Sequence, residues 1–195
     1  MRKKILSILL ALCMTVSLMP VPALAVGKEA HRHPVCGDAE CADHEGIEWT
    51  AWDGASNTLT SGNYYLSENV ELTSQYKINI EGKVNLCLNG HTLTGDATDG
   101  VIVVGDDDTL TICDCSVEQK GALQIAEGGV TNPIIMTGTG VFHLYGGAIR
   151  ANRSAIGVNS PAAGSINIHG GTVESSGSGY NGIRTVDGGS GFTVS

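Results

Sequence analysis

Apolar residues recur along this chain in short alternating runs, and the runs themselves repeat. Aligned on Leu88, Ile112, Leu144, Ile168 and Val194, five copies each carry a second apolar residue two positions earlier: Leu86, Leu110, Phe142, Ile166 and Phe192. The residues between and after these columns are mostly polar, as in His143 and Tyr145 or Asn167 and His169. Such period-two alternation predicts a strand with one buried face. The anchors lie 24, 32, 24 and 26 residues apart. A period of that size predicts a stacked array, because one short strand cannot bury its apolar face while strands stacked at about 4.8 Å can.

Two positions beyond the anchors stand Gly90, Asp114, Gly146 and Gly170, residue types that allow a sharp corner. Past the corner, Leu93, Val117, Ile149 and Val173 restart an inward-facing strand, and residues 118–131 make the longest interval an extra loop on one coil. About ten residues before the anchors comes another apolar set: Ile78 and Ile80, Val101 and Val103, Ile134 and Met136, Ile156 and Val158, then Ile183. Several short strands per repeat and no helix-period segment predict an all-β fold, a right-handed parallel β-helix of about five coils over residues 76–195. The apolar columns run to the last residues without a closing cap, so the pattern anticipates further coils downstream.

Residues 1–25 have the form of a secretory signal: Arg2, Lys3 and Lys4, an apolar run, then Ala23, Leu24 and Ala25 as a small-residue cleavage site. Pro20 and Pro22 interrupt the run before it reaches the roughly 20 residues of a membrane span, so no span is expected after cleavage. Loss of those three cations takes the formal charge from −9 to −12. An acidic exported chain is not suited to nucleic acid. Residues 26–45 form a His/Cys-rich segment and residues 46–75 a cap for the solenoid's open end, with Gly62, Asn63, Tyr64, Tyr65 and Leu66 as the first strand. An uncovered end is an aggregation edge.

Four groups of residues suggest chemistry. His31, His33, Cys36, Cys41 and His44 fall within fourteen residues and suit either a zinc ion or a Cys36–Cys41 disulfide. Asp106, Asp107 and Asp108 occupy one turn, as calcium ligands do and as plain solvated turns also do. On adjacent coils His143, Tyr145, Asn167 and His169 form one outward patch, a candidate glycan surface or an ordinary polar strand face. Trp49 and Trp52 either plug the end of the core or stack on sugar. Cys87 and Cys113 align two residues out of register, too far apart to bridge, so with Cys115 they are expected as free thiols.

The His/Cys segment, the Gly62 to Leu66 run, the stretch from Val84 to Leu93 and the run from Leu110 to Cys115 together resemble the N-terminal region of large secreted surface proteins of Gram-positive anaerobes. That resemblance covers most of the chain after residue 25. It implies a pectin-lyase-like right-handed β-helix, attached to the cell surface through a C-terminal region that follows such segments. The fold does not fix a chemistry. Hydrolases of this architecture need facing acid pairs, which the outward columns do not hold. The expectation is therefore a non-catalytic module for binding extracellular or cell-wall polysaccharide or for adhesion. The alternative is a lyase or hydrolase acting on acidic glycans, with the Asp106 to Asp108 turn and Arg150, Arg153 or Arg184 as its parts.

Overall fold

The computed structural model describes residues 31, 33–35, 47–73, 76–96, 100–159, 164–185 and 193–195. The expectations for residues 1–30, Cys36, Cys41, His44 and Phe192 fall outside this set. The described residues build a parallel β-solenoid of about five turns with no helix, and hence none long and apolar enough to cross a membrane.

Each turn contributes three short strands. The first face stacks β2 (Thr58–Leu66), β4 (Ile78–Cys87), β7 (Thr109–Cys113), β10 (Val141–Leu144), β13 (Ser165–Ile168) and β16 (Thr193–Val194). After a corner, the second face stacks β3 (Val70–Glu71), β5 (Thr92–Gly95), β8 (Ala122–Ile125), β11 (Ala148–Ala151) and β14 (Thr172–Ser175). The third face stacks the start of β4 with β6 (Ile102–Val104), β9 (Ile134–Met136), β12 (Ile156–Val158) and β15 (Ile183–Thr185). Strand β1 (Thr50–Trp52) pairs with β2 at the N-terminal end. Strand β4 belongs to two faces because it bends at Gly82. That residue has φ 81°, and its amide donates to Asp108 Oδ1 at 2.7 Å.

Every pairing is parallel, with a register shift only between Thr60 and Gly62 where β2 meets β4, and from β4 onward the coils stack in register into continuous rows. Val84, Leu110, Phe142 and Ile166 form one row, continued by the exposed Val194 on the last strand, and Leu86, Ile112, Leu144 and Ile168 form the next. Leu93, Leu123, Ile149 and Val173 line the second face; Ile78, Ile102, Ile134, Ile156 and Ile183 line the third. Most of these residues, with Trp52, Leu59, Leu66 and Leu88, belong to one buried cluster, against which Ile168, Val173 and Ile183 pack as its partly buried edge. Trp52 closes the N-terminal end beside the first coil, its ring 6% exposed.

Three details of the sequence alignment are corrected. Leu86, not Leu88, is the partner of Ile112, and Val194 pairs with Ile166. A two-residue slip leaves every side chain on the same face, so alternation alone cannot detect it. On the third face Ile102 and Val104 hold the strand's inward row and Val103 faces outward, while Val101, just before the strand, is buried in the core as expected. Finally, Val117 is fully exposed, and Leu123 holds the place expected for it. The detour therefore precedes β8. Asp114 fixes it: Oδ1 accepts the Gly90 and Ser116 amides at 2.9 and 3.0 Å, and Oδ2 accepts the Gly121 amide at 2.6 Å.

Burial separates two positions that look alike in sequence. Ile112→Ala should cost about 2–5 kcal/mol, since it opens a cavity in a packed row. Val117→Ala should stay within about 0.5 kcal/mol. Urea unfolding midpoints of the two variants check this, and equal losses would contradict the register.

Candidate functional site

The outward face of a solenoid strand should meet water, yet one stretch does not. Tyr65, Cys87 and Cys113 stand in register on adjacent strands of the first face, pointing away from the core. They are nonetheless buried, Cys87 completely. The cover is the N-terminal segment together with Trp49, which form a second small cluster with Val35, Ile47 and Tyr145 at its edge. The His31 imidazole stacks on Tyr65 with centroids 4.2 Å apart, and His33 stacks on Trp49 at 4.1 Å. Trp49 fastens the segment twice. Its amide donates to His31 O at 3.2 Å and its indole N–H to His33 O at 3.1 Å.

This arrangement gathers two imidazoles and two thiols. Cys87 Sγ lies 3.4 Å from Cys115 Sγ, and Cys115 Sγ lies 3.6 Å from His31 Nε2. One ligand atom from each of His31, His33, Cys87 and Cys115 falls within 4.8 Å of all the others. His33 Nδ1 is 2.8 Å from the Pro34 carbonyl, while its buried Nε2 has no partner. Burial, with the His33 imidazole second, pulls His31 down to about 4. A hydrogen bond with Cys113 and burial push the Cys87 thiol up to about 12 against the weaker lowering effect of Cys115. Cys115 is raised by its hydrogen bond with Cys87 and by burial. These shifts favour the neutral imidazole of His31 and the protonated thiols of Cys87 and Cys115.

The sequence named His31 and His33 here but paired them with Cys36, Cys41 and His44, which lie outside the described residues. Instead, thiols read as unremarkable come from two solenoid coils. The overlooked signal was register: Cys87 and Cys113 are directly opposite, so Cys115, two residues further on, passes the same point.

The outward patch predicted downstream does assemble. Tyr145 and His169 stack at 4.3 Å, His143 and His169 at 5.5 Å, and His143 Nδ1 lies 3.2 Å from His169 Nε2. The rings cover one another's faces along the solenoid axis, so a ligand meets their rims. Asn167 spends its amide on the Phe142 carbonyl, the Ser165 hydroxyl and the Ser195 hydroxyl. Between this patch and the N-terminal segment runs a furrow of about 360 Å³. Lys83, Asn85, Thr111 and His143 line it, with Val35 and Tyr145 among its walls.

Other candidates are placed differently. Trp49 and Trp52 are buried at 7% and 6% exposure, so neither offers a ring face to sugar. Of the three aspartates, Asp106 and Asp107 both accept from the Thr139 hydroxyl at 3.4 Å, while Asp108 turns elsewhere. Asp108 reaches back to Gly82, while Asp106 Oδ1 accepts the Thr139 amide at 2.9 Å on the following coil. Asp107 takes φ 60° and faces the Thr139 hydroxyl. These carboxylates tie coils together. Arg150 bonds Glu174 at 2.9 Å and Arg153 bonds the Val130 carbonyl at 2.8 Å. A second furrow, about 400 Å³, lies on the second face among Gln124, Glu127, Arg150 and Glu174.

Comparison with family models, with curated proteins and with solved structures returns no match.

Burial, then the neighbouring His169, hold His143 below the ordinary imidazole value. The unfolded chain therefore takes up this proton first as the pH drops. Stability contributed by neutral His143 should be complete above about 6.5 and decline as pH falls toward the folded value. Thermal midpoints of wild type and His143→Gln between pH 7.5 and 5 check this: the variant should show the shallower decline.

Proposed function

We propose that the chain is a secreted or cell-surface module that binds extracellular or cell-wall polysaccharide without transforming it. The observation that carries this reading is the furrow on the first face. Its lining sets the amide, hydroxyl and imidazole groups of Asn85, Thr111 and His143 among the apolar walls of Val35, Val141 and Tyr145, and Lys83 is its one charged group. Hydroxyl-rich ligands are held by such amide, hydroxyl and imidazole groups, each net hydrogen bond contributing about 0.5–1.5 kcal/mol. No carboxylate lines this furrow, so it lacks the facing acids of a glycosidase. Export follows from the signal-like residues 1–25. The resemblance to surface proteins of Gram-positive anaerobes, and with it a right-handed pectin-lyase-like fold and cell-surface attachment, belongs to the same proposal.

A second reading, cleavage of an acidic glycan, has one feature in its favour. Glu127, Glu174 and Arg150 share the furrow on the second face, although Arg150 and Glu174 are paired with each other. Polygalacturonate incubated with the chain and Ca²⁺, and followed by the ultraviolet absorbance of unsaturated products, should show no activity. Product that vanishes in Glu174→Gln would replace binding with catalysis.

A glycan array probed with the chain, with and without Ca²⁺, tests binding directly. At least one plant, mucin or cell-wall glycan should be retained. Tyr145→Ala and Asn85→Ala should each weaken it about three- to tenfold. Retention unchanged in both variants, or no retained glycan at all, contradicts the proposed surface.

A further inference from the structure

We propose that His31, His33, Cys87 and Cys115 are the four ligands of a structural zinc ion that clips the N-terminal segment onto the outer face of the solenoid. The first argument is metric. With Zn–S near 2.3 Å and Zn–N near 2.0–2.1 Å, a tetrahedral site has S···S, S···N and N···N edges of about 3.8, 3.6 and 3.3 Å. The Cys87–Cys115 and Cys115–His31 separations are 3.4 and 3.6 Å, and all four ligand atoms fit within 4.8 Å of one another. Four side chains from three separate stretches have converged to the dimensions of one coordination sphere.

The second argument is an unmet lone pair. The His33 Nδ1 contact with the Pro34 carbonyl fixes that nitrogen as the protonated one, since a carbonyl can only accept. In the neutral ring Nε2 then carries the lone pair; it is buried, meets no hydrogen-bond partner at good geometry, and has the Cys115 thiol beside it. A buried acceptor left unpaired is costly. Metal-bound histidines have this arrangement, with the distal N–H held by a carbonyl and the other nitrogen on the ion.

The ligand set selects the metal. Two soft sulfurs and two imidazoles in a tetrahedron suit zinc, not the oxygen-seeking calcium or magnesium. Binding releases one proton from each thiol. Two thiolates and two neutral imidazoles then balance the 2+ charge, so the centre is neutral. Four protein ligands leave no open position for water or substrate, which makes the site structural. The ion has a way in: a cleft of about 300 Å³ lined by His33, Cys113, Cys115 and Gln119 opens beside the quartet.

The consequence reaches beyond the site. His31 and His33 belong to the segment that covers Tyr65 and Cys113 and whose Val35 walls the first furrow. An ion bridging that segment to the coils of Cys87 and Cys115 holds the wall in place.

The test uses the full chain purified without chelator. Elemental analysis should find one zinc per chain. Exchange to Co²⁺ should give the intense visible bands of a tetrahedral ion with sulfur-to-cobalt charge transfer. Cys115→Ser and His33→Ala should each weaken binding at least tenfold, while Cys113→Ser and the double variant Cys36→Ser, Cys41→Ser keep it. A wild-type measurement guards against variants that do not fold. Cys115 is exposed, so removal of zinc by chelator should raise its alkylation rate at least tenfold and lower the melting temperature by about 4 °C or more. Any of three results overturns the proposal: no bound zinc or cobalt, metal retained by Cys115→Ser but lost from the Cys36/Cys41 variant, or a Cys87–Cys115 disulfide in the peptide map.

Discussion

Main-chain hydrogen bonds between one coil and the next decide where every other group in this molecule lies. Parallel pairing sets adjacent strands about 4.8 Å apart and brings residues one repeat apart into direct opposition. Inside, this stacks Leu86 on Ile112 on Leu144 on Ile168. Outside, the same constraint stacks Asn63 against Asn85, whose amides bond at 2.8 Å, and sets Cys87 against Cys113. The core supplies the favourable burial, but the ladder chooses which residues share it.

Because the ladder is repetitive, departures from it are informative. The detour pinned by Asp114 carries Cys115 away from the strand and back toward Cys87. At the N-terminal end the chain does not simply enter the first coil. It crosses the outer face and buries residues that a bare solenoid would expose. Both departures meet at the His/Cys quartet. The furrow and the stacked His143, Tyr145 and His169 rings lie on the undisturbed part of the same face. The proposed binding surface and the proposed clip thus share one wall of the solenoid, the second edging the first.

Much of the architecture was legible in the sequence because a one-residue error in phase would expose the apolar columns, so the inward and outward sets are fixed by alternation. Leu110, Phe142 and Ile166 could be assigned in this way. What alternation cannot fix is displacement by two, and the errors at Leu88 and Val194 are of that kind. The false strand at Val117 has a different origin. An apolar residue at the expected spacing looked like a continuation, whereas the hydrogen bonds of Asp114 are tertiary facts without a periodic signature. The quartet was half visible. His31 and His33 announced metal-binding chemistry, but their partners come from distant coils, and only the true register puts Cys87 and Cys115 at one point. Trp49 and Trp52 show the limit of composition: a tryptophan before a strand reads equally as sugar platform or as plug, whereas the structure buries Trp52 at the end of the core and Trp49 in the cluster on the outer face.

The register itself can be measured directly in solution. Backbone nuclear Overhauser effects between neighbouring coils report which residues are opposed. The account requires cross-peaks linking Leu86 to Ile112, Ile112 to Leu144 and Leu144 to Ile168 in a single series. Cross-peaks that instead oppose Leu88 to Ile112, or no contacts between these coils, would contradict it, and with it the convergence of Cys87 and Cys115 on the two histidines.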